Sequence, residues 1–242
     1  MKIIDLHTHI LPGIDDGADS METALQMLRN AEASHVVALA ATPHCNIPGW
    51  VDNYYDENLL QHLRKLRTAA QEAGIGVKIL AGMEVRANEN LLPLLQAGKL
   101  LALNGGRYLL TEFAPDVTLS CCLEILQAIR DQGMIPLVAH PERYGTIWQN
   151  PDAVNDWLDM GCHIQITGGS ILGKFGRDAY RTADYLLRHN MAACIASDAH
   201  GLQYRTNQLS NVYDHVCLHI NPVYAHMVMF DNPYRICQNE VL

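Results

Sequence analysis

Several common signals are missing from this sequence, and each absence removes a class of function. No apolar run approaches the roughly 20 residues that a membrane-spanning helix needs, and the longest are strand-sized. The opening Met1-Lys2-Ile3-Ile4-Asp5-Leu6-His7 is broken at once by Asp5 and His7, so it does not read as a secretory signal. A cytoplasmic protein without a membrane span is expected. The seven cysteines, an odd number, include no C-x-x-C pair. They read as reduced, mostly buried small apolar residues, with Cys45 beside His44 as an alternative soft metal ligand. No C-x5-R loop serves a cysteine nucleophile. No G-x-G-x-x-G or Walker A stretch cradles a nucleotide. Low-complexity tracts and internal repeats are also absent. Positive charge is short, with 17 Lys and Arg against 26 Asp and Glu for a net −9. That balance argues against nucleic acid as a partner, although bound cations would create a local positive site.

What is present is a globular balance, 49% hydrophobic and 18% charged, over 242 residues. One domain spanning residues 1–242 is expected. Short runs that are apolar on both faces alternate with amphipathic stretches. Strands are predicted at Lys2–Leu6, Val36–Ala41, Val77–Ala81, Arg107–Thr111, Ile135–Ala139, Cys162–Ile166 and Ala192–Ala196. Helices are predicted at Ser20–Ala33, Asn53–Ala73, Leu119–Gln132, Pro151–Met160, Arg177–His189 and Arg205–His219. This alternation predicts an α/β fold, a distorted seven-stranded parallel (β/α)7 barrel related to the TIM barrel. A doubly wound open sheet is the alternative.

Metal-competent residues collect at the C-terminal ends of these strands. Asp5-Leu6-His7-Thr8-His9 ends the first, Thr42-Pro43-His44 the second and Gly82-Met83-Glu84 the third. Thr111-Glu112 ends the fourth, His140-Pro141 the fifth and Asp198-Ala199-His200 the seventh. Active sites of parallel barrels lie at that end. Imidazoles suit Zn, Fe and Mn, and carboxylates add hard oxygens able to bridge two ions. Asp15 and Asp16 in the first loop are further candidates. Glu112 and Asp16 also suit helix caps. Asp5, on the face of His7 by strand alternation, either orients an imidazole or caps the far end of the barrel. His35, His62, His163, His189, His215, His219 and His226 read as structural or surface residues.

The set D-L-H-T-H, T-P-H, G-M-E, H-P-E-R-Y and S-D-A-H resembles PHP-family phosphoesterases. I-D-D-G, L-T-E-F and Q-I-T-G-G-S-I-L-G-K-F-G resemble more narrowly the CpsB/CapC-type manganese-dependent protein tyrosine phosphatases. The resemblance runs through nearly the whole chain. It implies three divalent ions, with Mn expected and Fe or Zn as alternatives. One would take His7, His9, Glu84 and Asp198; a second Glu84, Glu112 and His140; a third Asp16, His44 and His200. It further implies phosphate handling by Arg143 and Arg205, whose bland alternative is a loop salt bridge. The expected reaction is phosphomonoester hydrolysis by a metal-bridging hydroxide. The expected partner is a phosphotyrosine protein, the C-terminal tail of a bacterial tyrosine kinase in capsule or exopolysaccharide biosynthesis. A small-molecule phosphatase for histidinol phosphate or nucleotides is the alternative, and a metal-free kinase-binding scaffold a third reading. Lys174, Phe175 and Arg177 either shape the entrance or pack. Tyr144 and Tyr204 are candidates for stacking on an aromatic substrate. Gly201 departs from the family pattern, in which Asn often follows D-A-H. Oligomeric state is left open.

Overall fold

The computed structural model describes residues 1–242. Its strands are β1 (Ile3–Thr8), β2 (Val36–Ala41), β3 (His44–Cys45), β4 (Lys78–Ala81), β5 (Glu84–Arg86), β6 (Tyr108–Glu112), β7 (Ile135–Ala139), β8 (His163–Thr167) and β9 (Cys194–Ala196). The helices are α1 (Met21–Ala33), α2 (Glu57–Glu72), α3 (Leu91–Gln96), α4 (Leu119–Asp131), α5 (Gly145–Gln149), α6 (Val154–Asp159), α7 (Gly168–Ile171), α8 (Arg177–Arg188), α9 (Ser210–His219), α10 (Pro222–His226) and α11 (Asn232–Cys237).

The longer helices form where the sequence supplies both a cap and an apolar stripe. The Ser20 hydroxyl accepts from Thr23 N at 3.1 Å, and α1 buries Ala24, Met27, Leu28 and Ala31. Asp56 caps α2 through Leu59 N, and Leu59, Leu63, Leu66 and Ala70 form the buried stripe. The stretch 205–209 expected to open α9 is instead a loop, since the Arg205 carbonyl accepts from His200 N at 2.9 Å and Gly201 N at 3.1 Å. The helical turns after residue 220 escaped the sequence reading. There the Asn221 side chain caps α10 by accepting from Val223 N and Tyr224 N, and a π-helical turn at Met227–Asp231 joins α10 to α11.

All paired strands are parallel, as expected. They form two ladders, β1-β2-β4 and β3-β5-β6-β7-β8-β9, rather than one closed seven-stranded ring. The expected second and third strands are found as β2 and β4, and each is followed, after a break at Thr42-Pro43 or Gly82-Met83, by a short strand that was not expected, β3 or β5. Pro43 has no N–H to offer a ladder. Gly82 sits where a Cβ would come within 2.9 Å of Leu103 Cδ2. The strands before each break pair in one ladder and the short strands after it in the other. The ladders meet where Thr8 bridges Ala199 and Asp198 N donates to His7 O at 2.9 Å.

Alternate residues of the strands feed two cores. Ile4, Leu6, Ala38, Ala40, Leu80, Tyr108, Leu110 and Leu137 belong to an inner cluster. Ile3, Leu39, Ile79, Leu109, Val138, Ile164 and Ile195 belong to a larger one that includes the helix stripes. This two-sided burial is why the strands read as continuous apolar runs.

Candidate metal centre

Breaks in regular geometry at the strand ends create the site. In β1 the register with β2 slips between Asp5 and Thr8: Asp5 pairs with Leu39 but Thr8 with Ala41. The extra residue breaks strict alternation, as bulges do. Leu6 therefore joins the inner core while His7 reaches Gln165 on β8. His140 (φ 36°) and Asp198 (φ 52°) adopt left-handed backbone, a conformation that costs non-glycine residues about 1–3 kcal/mol and clusters at functional sites.

These turns bring all nine expected ligand residues to one place. Glu84 Oε2 is central, 3.2 Å from both His7 Nε2 and His9 Nε2 and 2.9 Å from His44 Nδ1. Asp198 Oδ1 lies 3.4 Å from His7 Nε2 and 3.6 Å from His9 Nε2. Glu84 Oε1 and Glu112 Oε1 face His140 Nε2 at 3.0 and 3.7 Å. Asp16 Oδ1 sits 3.3 Å from His200 Nε2 and 3.6 Å from His44 Nε2. Three clusters could hold cations: His7, His9, Glu84 and Asp198; His9, Asp16, His44 and His200; and His44, Glu84 and Glu112. His9 and His44 thus each stand in two clusters, a sharing that sequence spacing did not suggest.

The donor set fits divalent cations. The ligands are buried apart from Asp16 and, in part, Glu112 and His200. Yet Glu84 Oε2, Asp198 Oδ1, His44 Nδ1 and His200 Nε2 are buried without a well-aligned hydrogen-bond partner. His7 Nε2 and His9 Nε2 face each other at 3.1 Å. Orphaned lone pairs at such density are costly in a protein interior, and nitrogen and carboxylate oxygen together suit borderline to hard ions.

A surrounding layer orients these groups. Asp15 accepts from His9 Nδ1 at 2.8 Å and from the His44 backbone N at 3.0 Å, so it orients the His9 ring and holds the His44 backbone. Gln165 accepts from His7 Nδ1 at 2.9 Å. The Arg86 guanidinium lies 2.8 Å from Glu112 Oε2. Buried Glu142 accepts from Thr167 N and the Ser170 hydroxyl at 2.9 and 2.7 Å, tying the turn after His140 to the end of β8. Sequence reading missed Gln165, Arg86 and Glu142. Gln165 carried a usable signal, a polar residue inside an apolar strand. Asp5 does not touch an imidazole. Its Oδ1 accepts from Ser197 N at 2.9 Å and His7 N at 3.4 Å, and so braces the turn that carries Asp198.

Both expected arginines converge on one atom. Arg143 Nη1 and Arg205 Nη2 lie 3.0 and 2.5 Å from Asp198 Oδ2, and Arg205 Nε donates to Asp198 O at 3.2 Å. Both guanidiniums keep a partly exposed face. Arg143 also lies 4.9 Å over the Phe175 ring, whose edge rests where any side chain on Gly169 would clash at 2.5 Å. Burial works against the Asp198 carboxylate, but His7 and Arg205 outweigh it and hold its pKa below the usual range. Burial, reinforced by Glu84, pushes Glu112 up to about 7 against the pull of Arg86. Burial drives His140 down to about 4, which keeps it neutral and available as a ligand.

Tyr144 is not a substrate platform. It is 1% exposed, and its hydroxyl donates to Ala139 O at 2.6 Å while accepting from Phe113 N at 3.0 Å. Tyr204 is 64% exposed, with its hydroxyl on Lys174 O at 2.7 Å. Cys45 is buried outside the three clusters, and burial first, then Asp52, pushes its thiol up to about 12.

Comparison with known proteins places this geometry among others. The family model described as capsular polysaccharide synthesis, CpsB/CapC, matches residues 3–238. The chain is 32% identical over 203 residues to tyrosine-protein phosphatase YwqE of Bacillus subtilis (strain 168), covering 84% of this chain and 79% of that protein. It is 27% identical over 245 residues to tyrosine-protein phosphatase CpsB of Streptococcus pneumoniae, covering 99% and 100%. A crystal structure from work on YwqE and CpsB, described as unique metal-dependent tyrosine phosphatases, superposes with TM-score 0.92 at 28% identity over 99% of this chain and 96% of that one. A phosphotriesterase homology protein from Escherichia coli, with phosphate in its active site, shares the fold at TM-score 0.62 and 13% identity over 97% and 98%.

Proposed function

The chain belongs to the CpsB/CapC family of capsular polysaccharide synthesis, and from that premise we propose that it is a metal-dependent tyrosine-protein phosphatase. The observation that carries the reading is the meeting of eight clustered ligands, with His140 beside Glu84 and Glu112, and two arginines at Asp198. We assign His7, His9, Glu84 and Asp198 to one ion, Asp16, His44 and His200 to another with His9 shared, and Glu84, Glu112 and His140 to a third. His44 stands close enough to join the third group. Three ions and manganese are part of this proposal, supported by a donor set that combines imidazoles with the carboxylates of Asp16, Glu84, Glu112 and Asp198. Bound there, the cations would supply charge neutralisation and an activated water.

The chain's own residues do the rest. Arg143 and Arg205 present planar forks to the phosphate oxygens. Asp198 Oδ2 holds both forks on one side, and Phe175 supports the Arg143 plane. Buried Glu142 keeps the Arg143 turn against β8. The substrate we assign is the tyrosine-rich tail of a bacterial kinase governing capsule or exopolysaccharide synthesis, in keeping with the family's description. The assignment covers residues 1–242 as one phosphoesterase domain and includes a distorted seven-stranded barrel, supported by the Thr8–Ala199 bridge between β1 and the residues after β9. No helix is long and apolar enough to cross a membrane. Seven free cysteines support a cytoplasmic setting.

Turnover of a phosphotyrosine peptide, compared with histidinol phosphate, tests the substrate. Peptide turnover that follows added Mn²⁺ and is lost in Arg143→Ala and Arg205→Ala is expected, by about 10²–10³ each. Turnover of histidinol phosphate alone would refute the protein substrate. Metal well below one ion per chain, with no activity on adding Mn²⁺, would refute the metal-dependent enzyme.

A further inference from the structure

One aromatic side chain at the mouth of the centre has no part in the chemistry above. Trp50 is 53% exposed, and its ring centroid lies 5.4 Å from that of His44, tilted by 54°. A half-exposed indole contributes little to a core, so packing does not account for its position.

The loop that carries it is built to present it. Ile47-Pro48-Gly49-Trp50 forms a type II turn, with Pro48 presetting the second position and Gly49 at φ +76° in the third. Trp50 N closes the turn on Ile47 O at 3.1 Å, and Ile47 N bonds Val51 O at 3.1 Å in a short antiparallel bridge. A Cβ on Gly49 would meet nothing within 4 Å, so the backbone conformation alone calls for glycine. The turn is anchored on both flanks. Asn46 Nδ2 donates to Arg86 O at 2.9 Å and Asn88 Oδ1 at 2.8 Å. Asn53 Nδ2 donates to Ile14 O at 2.8 Å and His44 O at 3.0 Å. The turn that bears the indole is thereby held against β5, His44 and the loop bearing Asp15 and Asp16.

We infer that Trp50 is a specificity-determining residue whose indole forms a wall for an aromatic leaving group, so that the centre selects aryl over alkyl phosphomonoesters. The inference rests on the phosphatase reading above and deepens it. A phosphate gripped by Arg143 and Arg205 leaves its ester substituent at the mouth. A phenol ring can pair there with the indole face or edge, whereas an alkyl ester offers no ring. Tyr144 is buried, and the other exposed aromatic near the ligands, Tyr204, has its hydroxyl committed to Lys174 O, whereas the Trp50 ring lies directly beside the His44 ring.

Binding measured without turnover separates this inference from the phosphatase reading. Phenylphosphonate and methylphosphonate are titrated calorimetrically into Mn²⁺-loaded wild type, Trp50→Ala and Trp50→Phe, with metal content measured in each. Wild type should prefer the phenyl compound. Trp50→Ala should lose that preference by roughly three- to tenfold, the scale of aromatic pairing beyond area burial. Trp50→Phe should retain most of it, and metal content should match wild type in both. An unchanged phenyl-to-methyl ratio in Trp50→Ala overturns the inference. So does an equal loss on both compounds with falling metal content, which would make the indole merely a cover for His44. Failure of the phosphatase reading shows separately, as absence of phosphotyrosine-peptide turnover in wild type.

Discussion

Replacing Gln165 by leucine should weaken metal binding without unfolding the protein. Gln165 and His7 are both 0% exposed, and His7 Nδ1 lies 2.9 Å from Gln165 Oε1. The amide is itself oriented, since Gln165 Nε2 donates to Thr167 Oγ1 at 3.3 Å. With the His7 proton committed to Gln165, the Nε2 lone pair faces Glu84 Oε2 at 3.2 Å and Asp198 Oδ1 at 3.4 Å. Leucine has a similar volume, so the cavity effect is small. It offers no acceptor, and a buried unpaired N–H costs about 1–3 kcal/mol. The ring escapes that cost by moving its proton to Nε2, the nitrogen a cation needs. Loss of such an orienting partner typically lowers metal affinity about 10- to 100-fold. Gln165→Glu keeps an acceptor and should keep most of the affinity. The assay is Mn²⁺ titration followed by turnover at limiting and saturating metal. Activity of Gln165→Leu should fall at limiting metal and recover largely at saturation. Parental affinity and parental limiting-metal turnover in that variant would refute the role given to Gln165.

Chelation should lower thermal stability as well as activity, because several unpaired carboxylate and imidazole atoms would then face one another. An ion present at 100 times its Kd contributes about 2.7 kcal/mol, which for a chain of this length corresponds to a Tm fall of about 5–10 °C; an unchanged calorimetric Tm with EDTA would contradict it. Gly17→Ala should disrupt the Asp15–Asp16 loop, since a Cβ there would lie 2.0 Å from His9 O. Metal content and Tm should both drop, the latter through overpacking of about 1–3 kcal/mol, and parental values for both would show that the loop gives way easily. Tyr144→Phe leaves Ala139 O and Phe113 N without their buried partner and should cost about 1–3 kcal/mol in denaturant unfolding. The KM for a phosphotyrosine peptide should stay at the parental value, whereas a raised KM with unaltered stability would return Tyr144 to the substrate.

Much of the site was legible because its chemistry is carried by residue type at strand ends. His7, His9, His44, Glu84, Glu112, His140, Asp198 and His200 each follow a short apolar run, and parallel α/β topology gathers such positions at one end. The apolar strands and the buried stripes of α1, α2 and α4 were legible for the same reason: burial on both faces and a 3.6-residue period leave local marks. What remained hidden depends on geometry that no local pattern encodes. The slip between Asp5 and Thr8 that lets Leu6 and His7 serve the same interior is a property of pairing with β2. The division into two ladders follows from Pro43 and from the space around Gly82, which Leu103 closes from a distant turn. Residue type alone allowed Tyr144 to stack on a substrate. Only packing showed its hydroxyl committed to Ala139 O and Phe113 N, and showed Trp50 half-exposed on its turn beside His44. Sequence by itself determined which side chains can bind cations and phosphate. Tertiary structure decided which lone pairs meet, because hydrogen-bonded partners such as Gln165, Asp15 and Arg86 come from other strands and loops and orient each ligand only once the chain is folded.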